Sequence, residues 1–366
     1  MIPGFARLLA AALTLGASDP AGASTAASVS APEVREFGEW RAACDNGGRC
    51  FAWTGSDAGA WLMVRRDAGP GGRPEVLAGF GPAFDETSPD DIALLIDGRE
   101  QRLESSGERG AARMPAADTL SALVSIAASR GMSLSVMDEG PALPTRGATA
   151  ALVWIDEQQG RLGSTTALVR RGDRGPSTVP AAPALPAVSP ARPVDQGPLA
   201  RAADPMNGDE ATTIRLPEAL EALATVKACR AETADNGYLQ KAVLAARLGD
   251  DVQLWGVPCF SGAYNAGYDL YLTDGQGRSP RLAVFPDSQG RPPESDNFGG
   301  EGLVNPAYDA RTNTISHFPR ARGIGDCGTR QTWAWTGAAF ALVEEKIMGD
   351  CWGINSDLWP TRWRTR

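Results

Sequence analysis

The hexapeptide GIGDCG, Gly323 to Gly328, has the G-x-G-x-x-G spacing of a dinucleotide-binding loop. Such a loop binds a dinucleotide only where it follows a strand and opens a helix, because the helix N-terminus must face the pyrophosphate. The residues that follow it, TRQTWAWTGAAFALVEE, instead alternate like a β-hairpin around a Thr336-Gly337 turn. We therefore predict a tight loop beside a disulfide, with no nucleotide and no other cofactor.

Nucleophilic catalysis has little support in the sequence. A Ser-His-Asp arrangement needs a basic, oriented histidine, and His317, in the strand-like run TISHF, is the only histidine. We interpret His317 as a partly exposed strand residue. A nucleophilic cysteine would need an unpaired thiol, and the even number of cysteines argues against one. Zinc is also unsupported, since the chain has no C-x-x-C pair to accompany this single histidine.

Carboxylates are the remaining groups that could act on a substrate. A pair of them can hydrolyse a glycosidic bond when their separation is suitable. The sequence does not place any two at that separation, so we interpret each as a solvated or turn-capping side chain. The candidates are Asp156, Glu157, Asp269 and Asp326.

Ten tryptophans are many for this composition, and several lie close to the C-terminus. Tryptophans exposed on a β-face stack well on sugar rings or on the side chains of a partner. The alternative is that they fill the core of a small sheet. The residues that we predict to form a binding surface are Trp333, Trp335, Trp359 and Trp363.

The N-terminus predicts export from the cytoplasm. Arg7 precedes a short apolar run, and Ala21-Gly22-Ala23 then provides an A-x-A cleavage site, so residues 1–23 have the layout of a secretory signal peptide. We expect a periplasmic or secreted protein. Six cysteines fit an oxidising compartment. Fifteen pairings are possible for six cysteines, and proximity along the chain favours Cys44–Cys50, Cys229–Cys259 and Cys327–Cys351.

Charge and hydropathy limit the partners. The formal net charge of −9 repels phosphate backbones, so we expect no nucleic acid partner. After the N-terminal segment no apolar run approaches the 18 residues that a membrane span requires. We therefore expect a mature protein that does not span a membrane.

The sequence predicts a chain of two lobes. Residues 33–172 form an N-terminal β-rich lobe, and residues 216–366 form a C-terminal β-rich lobe. Between them, residues 173–215 are rich in Pro and Ala, which is typical of an extended linker. Wrapping of this segment across a lobe is the alternative. The fold class is α+β, mostly β, with two lobes cross-linked by disulfides and a few short helices.

Turn signals between short apolar runs predict the elements of the first lobe. The run FGEWRAACDNGGRCFAWTG predicts a hairpin, because DNGG is a strong turn signal. Further strands are predicted at Ala60–Arg66 and Ile92–Ile96, and a helix at Thr149–Gln159. Another helix is predicted to start at Asp118. The face of that helix that we expect to be buried contains Leu120, Leu123, Val124 and Ala127.

The second lobe is predicted to begin with one helix, from Pro217 to Arg230, because proline is favourable at the first helical position. The run VQLWGVPC then predicts a strand that ends at Cys259. The later runs YDLYL, RLAVF, TISHF, QTWAW and AFALVEE, separated by turn residues, predict a β-meander.

Several segments together resemble a bacterial exported family, domain of unknown function 1176. They are FGEWRAACDNGGRCFAW, IDEQQGRLGSTTALVRRG, VPCFSGAYN and RGIGDCG followed by WAWTGAAFALVEE and Cys351. The resemblance covers nearly the whole mature chain and implies no catalytic residues. The first lobe is weakly similar to the invasion-associated locus B family through its W-x-x-x-C opening, LLIDG and LPTRGATAAL. An aromatic residue expected near Ala148 is missing, so this second resemblance implies only a compact, mostly β lobe.

These observations favour a protein without enzymatic activity. We expect it to bind an envelope protein or glycan through the aromatic surface. The alternative is a carboxylate-based hydrolase that acts on envelope sugars. An enzyme should place two carboxylates in one concave pocket, whereas a binding protein should present a flat or grooved surface.

Overall fold

The structure is a computed structural model that describes residues 33–81, 91–136, 140–202, 214–291 and 302–366. The predicted signal peptide, residues 1–23, lies outside the described residues. Within them the protein is mostly β with a few short helices, as the sequence predicts. No helix in these ranges is long and apolar enough to cross a membrane.

A seven-stranded antiparallel sheet, of order β1-β2-β3-β4-β5-β9-β8, forms the body of the first lobe. Successive side chains of β3 and β4 enter two different cores, because side chains alternate along a strand and both faces of this sheet are covered. The predicted strand at Ala60–Arg66 is confirmed. The strands are β1 (Arg35–Phe37), β2 (Trp40–Cys44), β3 (Cys50–Gly55), β4 (Ala60–Arg66), β5 (Pro74–Phe80), β8 (Glu104–Ser105) and β9 (Ala112–Arg113).

A second sheet of the first lobe has four strands in the order β11-β10-β6-β7. It and two helices cover one face of the larger sheet and enclose an apolar core. The predicted strand at Ile92–Ile96 is confirmed. The elements are β6 (Ile92–Ile96), β7 (Arg99–Arg102), β10 (Met132–Val136), β11 (Ala142–Leu143), α1 (Thr119–Ala128) and α2 (Ala148–Gln158).

The buried face of α1 differs from the predicted one. Ala122, Leu123 and Ile126 are buried, whereas Val124 is 45% exposed. The helix contacts both α2 and β5. These two neighbours select the face that is buried, and the helical period of the sequence could not indicate them.

The predicted helix at Pro217–Arg230 is two helices, α3 (Glu218–Glu221) and α4 (Ala224–Glu232). The chain is extended at Leu223, with a ψ of 137°. This break allows Leu220 and Val226 to enter the same apolar cluster. Pro217 does lie immediately before the first helical residue.

The strands of the second lobe form two sheets that face each other across an apolar core. One has the order β12-β13-β14-β15, with β16 also paired to β14, and the other has the order β17-β18-β19-β20-β21. The runs predicted to form one meander are therefore divided: YDLYL and RLAVF belong to the first sheet, and TISHF, QTWAW and AFALVEE belong to the second. In the run RLAVF only the first two residues are a strand. The strands are β12 (Leu244–Arg247), β13 (Val252–Ser261), β14 (Ala266–Asp274), β15 (Arg281–Leu282), β16 (Leu303–Val304), β17 (Ala307–Asp309), β18 (Thr314–His317), β19 (Gly328–Trp335), β20 (Phe340–Met348) and β21 (Thr361–Arg364).

The two lobes share an apolar cluster, which we call the shared core. The first lobe contributes the outer face of its large sheet, and the second lobe contributes residues near its C-terminus. Gly81 and Gly353 lie so close that a Cβ on Gly353 would be 2.4 Å from the Gly81 Cα. The members of the shared core are Ala43, Phe51, Trp53, Trp61, Met63, Leu77, Ala111, Cys327, Met348, Ile354, Leu358 and Trp359.

The Pro/Ala-rich segment lies against both lobes over its described part. The amide of Ala191 donates to the carbonyl of Trp335 at 2.7 Å, and the amide of Arg366 donates to the carbonyl of Pro186 at 3.0 Å. Gln196 exchanges hydrogen bonds with the backbone of Arg247. These hydrogen bonds connect the described part of the segment to the second lobe.

The three predicted disulfides are confirmed. Cys44 and Cys50 are directly opposed on β2 and β3, which are joined by the predicted DNGG turn. The second disulfide joins α4 to β13. The third joins the glycine-rich loop to the segment after β20. Each connects elements that are separate in the sequence or at the ends of a turn, and each therefore restricts the unfolded chain.

Candidate functional site

The tryptophans predicted to form a binding surface are mostly core residues. Trp333 is fully buried, Trp335 is 2% exposed and Trp359 is 1% exposed, while Trp363 is half-buried. Trp333 and Trp335 are two residues apart on β19, so both point into the core between the sheets of the second lobe. The prediction of an exposed aromatic surface is therefore wrong for Trp333, Trp335 and Trp359. These three tryptophans fill the core, which was the alternative.

His317 is fully buried, which corrects the expectation of partial exposure. It shares a face of β18 with Ile315, and that face enters the core. Its Nδ1 accepts a hydrogen bond from the Val304 amide at 2.8 Å, and its buried Nε2 has no partner among the described residues. Burial lowers the pKa of His317 to about 3. The ring is neutral and helps to hold β16 against β18.

Asp156 is a structural carboxylate. It is fully buried on α2, where its oxygens accept hydrogen bonds from the Leu168 amide at 2.9 and 2.7 Å. Arg66 lies 3.8 Å away and is itself buried. Burial raises the pKa of Asp156, although these partners act in the opposite direction. Its neighbour Glu157 is exposed, so the two carboxylates do not face a common pocket.

Asp326 organises the glycine-rich loop. Its carboxylate accepts two hydrogen bonds from Arg322, one of them from Nε at 2.7 Å, and a third from the Gly353 amide at 2.7 Å. Burial alone would raise the pKa of Asp326, but these donors hold it below its ordinary value. The loop leads directly into β19, which begins at Gly328, as the predicted hairpin requires.

Asp269 lines a cleft together with the Cys229–Cys259 disulfide. The cleft lies on the α4 face of the β12–β16 sheet, where two short strands pair with different parts of β14. β16 pairs with Gly267 and Tyr268, and β15 pairs with Tyr271 and Leu272. Asp269 lies in the interval between these two pairings.

The cleft has a volume of about 650 Å³, within the range of small-molecule sites. One wall is a stripe of α4 with the i, i+3, i+4, i+7 spacing of a single helix face: Thr225, Ala228, Cys229 and Glu232. The opposite wall contains Leu282, which is 39% exposed. Most of the lining is apolar or aromatic.

A small polar group lies within the cleft. The Tyr271 hydroxyl lies 2.9 Å from the Thr225 hydroxyl and 3.4 Å from Oδ2 of Asp269. Burial raises the pKa of Tyr271, and the neighbouring Asp269 carboxylate adds to this effect. The phenol therefore remains a protonated hydrogen-bond donor over the neutral pH range.

The Cys229–Cys259 disulfide lies in the cleft beside this polar group. Oδ2 of Asp269 is 3.6 Å from Sγ of Cys229. The two sulfurs and this carboxylate lie within 4.8 Å of one another, close enough to hold a metal ion if the thiols were free. Because the sulfurs are bonded to each other, they are not available as thiolate ligands.

Most of the cleft residues had no signal that singled them out in the sequence. Asp269 was a candidate carboxylate, and Cys229 and Cys259 were candidates for a disulfide. The helical spacing of Thr225, Ala228 and Glu232 around Cys229 was visible. It could not be interpreted as a cleft wall without knowing that α4 packs beside the gap along β14.

The comparisons with known proteins agree with the resemblance found in the sequence. The family described as a protein of unknown function (DUF1176) matches residues 34–366. The chain belongs to this family. It is also similar to the uncharacterized protein YpfG of Escherichia coli (strain K12), with 28% identity over 351 residues that cover 92% of this chain and 94% of the relative.

No solved structure matches the chain significantly. The similarity of the first lobe to the invasion-associated locus B family is not shown by these matches. The DUF1176 family match extends through both lobes, so it includes the cleft and the glycine-rich loop. Its description states no function, and the roles of these residues must be argued from their geometry.

Proposed function

We propose that the protein is an exported, periplasmic or secreted binding protein without enzymatic activity. Its partner is an envelope component, and its binding site is the cleft between α4 and β14–β16 rather than a tryptophan surface. The single observation that carries the proposal is the cleft itself. It combines an apolar lining with a few convergent polar atoms, which is the usual composition of a ligand site.

The chemistry of the cleft supports a ligand with an apolar body and one hydrogen-bonding group. Leu223, Ala228 and Leu282 provide apolar contacts, and the Tyr271 hydroxyl provides a polar one within the cleft. Glu232 and Arg281 add one charge of each sign where the lining is exposed. A protein segment with an apolar side chain fits this surface better than a glycan, because the tryptophans that would stack on sugars are mostly buried.

The disulfides support the proposed location. All six cysteines are paired, and no cysteine is free. Structural disulfides persist in oxidising compartments such as the periplasm and are rare in the cytosol. The N-terminal segment with the layout of a signal peptide agrees with this location.

Replacing Leu282 by Arg is expected to weaken ligand binding in the cleft about tenfold or more, because a charged group would enter an apolar lining. The measurement is a fluorescence titration with Nile red, an uncharged probe for apolar clefts. The matched control is Val124→Arg, which places the same charge at an exposed aliphatic position of the first lobe. The control should bind the probe like the native protein.

The same pair of variants then tests the natural partner. Native protein, L282R and V124R are immobilised and incubated with envelope extract, and the retained species are compared. A partner held by the native protein and V124R but lost from L282R supports the proposal. Equal probe affinity in all three proteins would show that the cleft is not the binding site.

A hydrolase remains the second candidate function, since Asp269 and Glu232 line the same cleft. An active enzyme would release products from peptidoglycan fragments, and Asp269→Asn and Glu232→Gln would each abolish that release. The proposed binding protein should instead show no turnover. Turnover that disappears in both variants, with unchanged stability, would favour the hydrolase.

A further inference from the structure

A second pocket lies where the two lobes meet. It has a volume of about 310 Å³. The first lobe contributes Phe80 and Arg109, and the second lobe contributes the glycine-rich loop with Arg320 and Asp326. The pocket therefore contains the segment whose G-x-G-x-x-G spacing resembles a phosphate-binding loop, but in a different structural context.

Arg320 is held firmly at the edge of this pocket. Asn265 accepts a hydrogen bond from the amide of Arg320 at 3.1 Å and donates one to its carbonyl at 2.9 Å. The guanidinium carbon lies 5.4 Å from the centroid of the Phe318 ring, in a cation–π contact. The backbone and the charged group are thus both positioned before any ligand arrives.

One nitrogen of the Arg320 guanidinium nevertheless lacks an acceptor in the part of the chain that the structure describes. Its Nε is buried and has no hydrogen-bond partner among the described residues. A buried donor without a partner is unfavourable, and most such groups in proteins are satisfied. Arg320 therefore lines the pocket while one of its donors is unsatisfied within the described residues.

Arg109 supplies a second positive charge to the same pocket. Its side chain is exposed, and its nearest acidic influence is on Asp357, whose pKa it helps to lower. Arginine presents a planar set of donors that matches the oxygens of a phosphate group. Two arginines therefore line one small cavity from opposite lobes, and the Asp357 carboxylate near Arg109 is itself paired with Arg330.

The acidic residue of the pocket does not cancel these charges. Both oxygens of Asp326 are engaged by Arg322, and one of them also accepts the Gly353 amide. The positive charge of Arg322 therefore compensates the negative charge of Asp326, and the charges of Arg109 and Arg320 are additional. The pocket has a net positive character in a chain whose formal net charge is −9.

We propose that this pocket binds a phosphate-bearing group between Arg109 and Arg320. The group is either a free phosphate or phosphate monoester, or the headgroup of an anionic lipid, since both present the same oxygens to the two guanidinium groups. Binding would bridge the lobes, because each lobe contributes one arginine. The pocket and the cleft have no lining residue in common, and this proposal does not depend on the function proposed for the cleft.

Calorimetric titration of the full mature chain with inorganic phosphate, against chloride at equal ionic strength, tests the site. Arg109→Gln and Arg320→Gln are each expected to raise the Kd about tenfold or more, because each removes a charge-assisted contact. The matched control is Arg130→Gln, which removes an exposed arginine that does not line the pocket. This control should bind phosphate with the native Kd.

Arg109 is exposed, so R109Q keeps the test valid even if R320Q reduces folding. Parallel titrations with glycerol phosphate, and cosedimentation with vesicles of phosphatidylglycerol or phosphatidylcholine, identify the source of the group. Retention on phosphatidylglycerol alone that is lost in R109Q supports the lipid headgroup, and binding of the soluble esters supports the free anion. No binding to the native chain, or equal binding to R109Q and R130Q, would overturn the proposal.

Discussion

Lowering the pH from 7 to 5 is expected to reduce the free energy of unfolding by about 2 kcal/mol through His317 alone. Burial lowers the pKa of His317 to about 3 in the folded protein, whereas an unfolded histidine has a pKa of about 6.5. Between these two values only the unfolded state binds the proton. Protonation therefore favours unfolding, and this contribution to stability is lost as the pH falls below about 6.5.

The pH effect on stability can be assigned to one imidazole because His317 is the only histidine in the chain. Nuclear magnetic resonance should show one histidine whose chemical shifts do not titrate between pH 7 and pH 5 in the native protein. Denaturant unfolding at the two pH values gives the free energies directly. His317→Asn serves as the comparison, since an amide oxygen can replace Nδ1 as the acceptor for the Val304 amide.

Carboxylates act in the opposite direction over part of this range. Burial raises the pKa of Glu345 and of Asp350. The folded state then binds more protons than the unfolded state, so these two groups favour folding as the pH falls through their folded pKa values. The difference between the native protein and H317N removes their contribution. An equal loss of stability in both proteins would show that His317 is not the group responsible.

The sequence predicted local features of this fold well. Strands β4 and β6 have the predicted bounds, because each is a short apolar run that ends at a turn or a change of composition. The disulfides followed from proximity along the chain, since nearby cysteines are the ones that short connections bring together. These predictions needed no knowledge of which surfaces would meet.

Burial of individual side chains was predicted less well, because it depends on packing between distant segments. The alternation in TISHF shows that His317 and Ile315 share a face of the strand. It does not show that this face enters the core opposite the β12–β16 sheet. The break at Leu223 also has no local signal. Its cause is a tertiary contact, because the break allows two short helices to reach one apolar cluster.

The cleft could not be predicted for the same reason. It exists because β15 and β16, separated by about twenty residues of chain, pair with β14 on either side of Asp269. Asp269 could be identified as a candidate from its residue type. Its place in the cleft appears only when the positions of α4, β15 and β16 are known.

Replacing Trp359 by Ala is expected to reduce the free energy of unfolding by about 3–5 kcal/mol, the usual cost of removing a large buried aromatic side chain. Trp359 is 1% exposed in the shared core, and its Nε1 donates to the carbonyl of Ile354 at 2.9 Å. The ring also lies edge-on to Phe318, with centroids 5.6 Å apart. The substitution would leave a cavity between the lobes and remove both contacts.

Trp363→Ala is the matched comparison, because both tryptophans belong to the same C-terminal segment and both were candidates for a binding surface. Trp363 is half-buried and its Nε1 has no hydrogen-bond partner among the described residues. Its removal should therefore cost less stability than W359A. Both variants, measured where they remain folded, should bind Nile red in the cleft with the native Kd, since neither tryptophan lines it. Unchanged stability of W359A together with weaker ligand binding would reverse this argument and restore Trp359 to an exposed recognition surface. A loss of stability with unchanged binding would mean that the C-terminal tryptophans hold the lobes together while α4 and β14 recognise the partner.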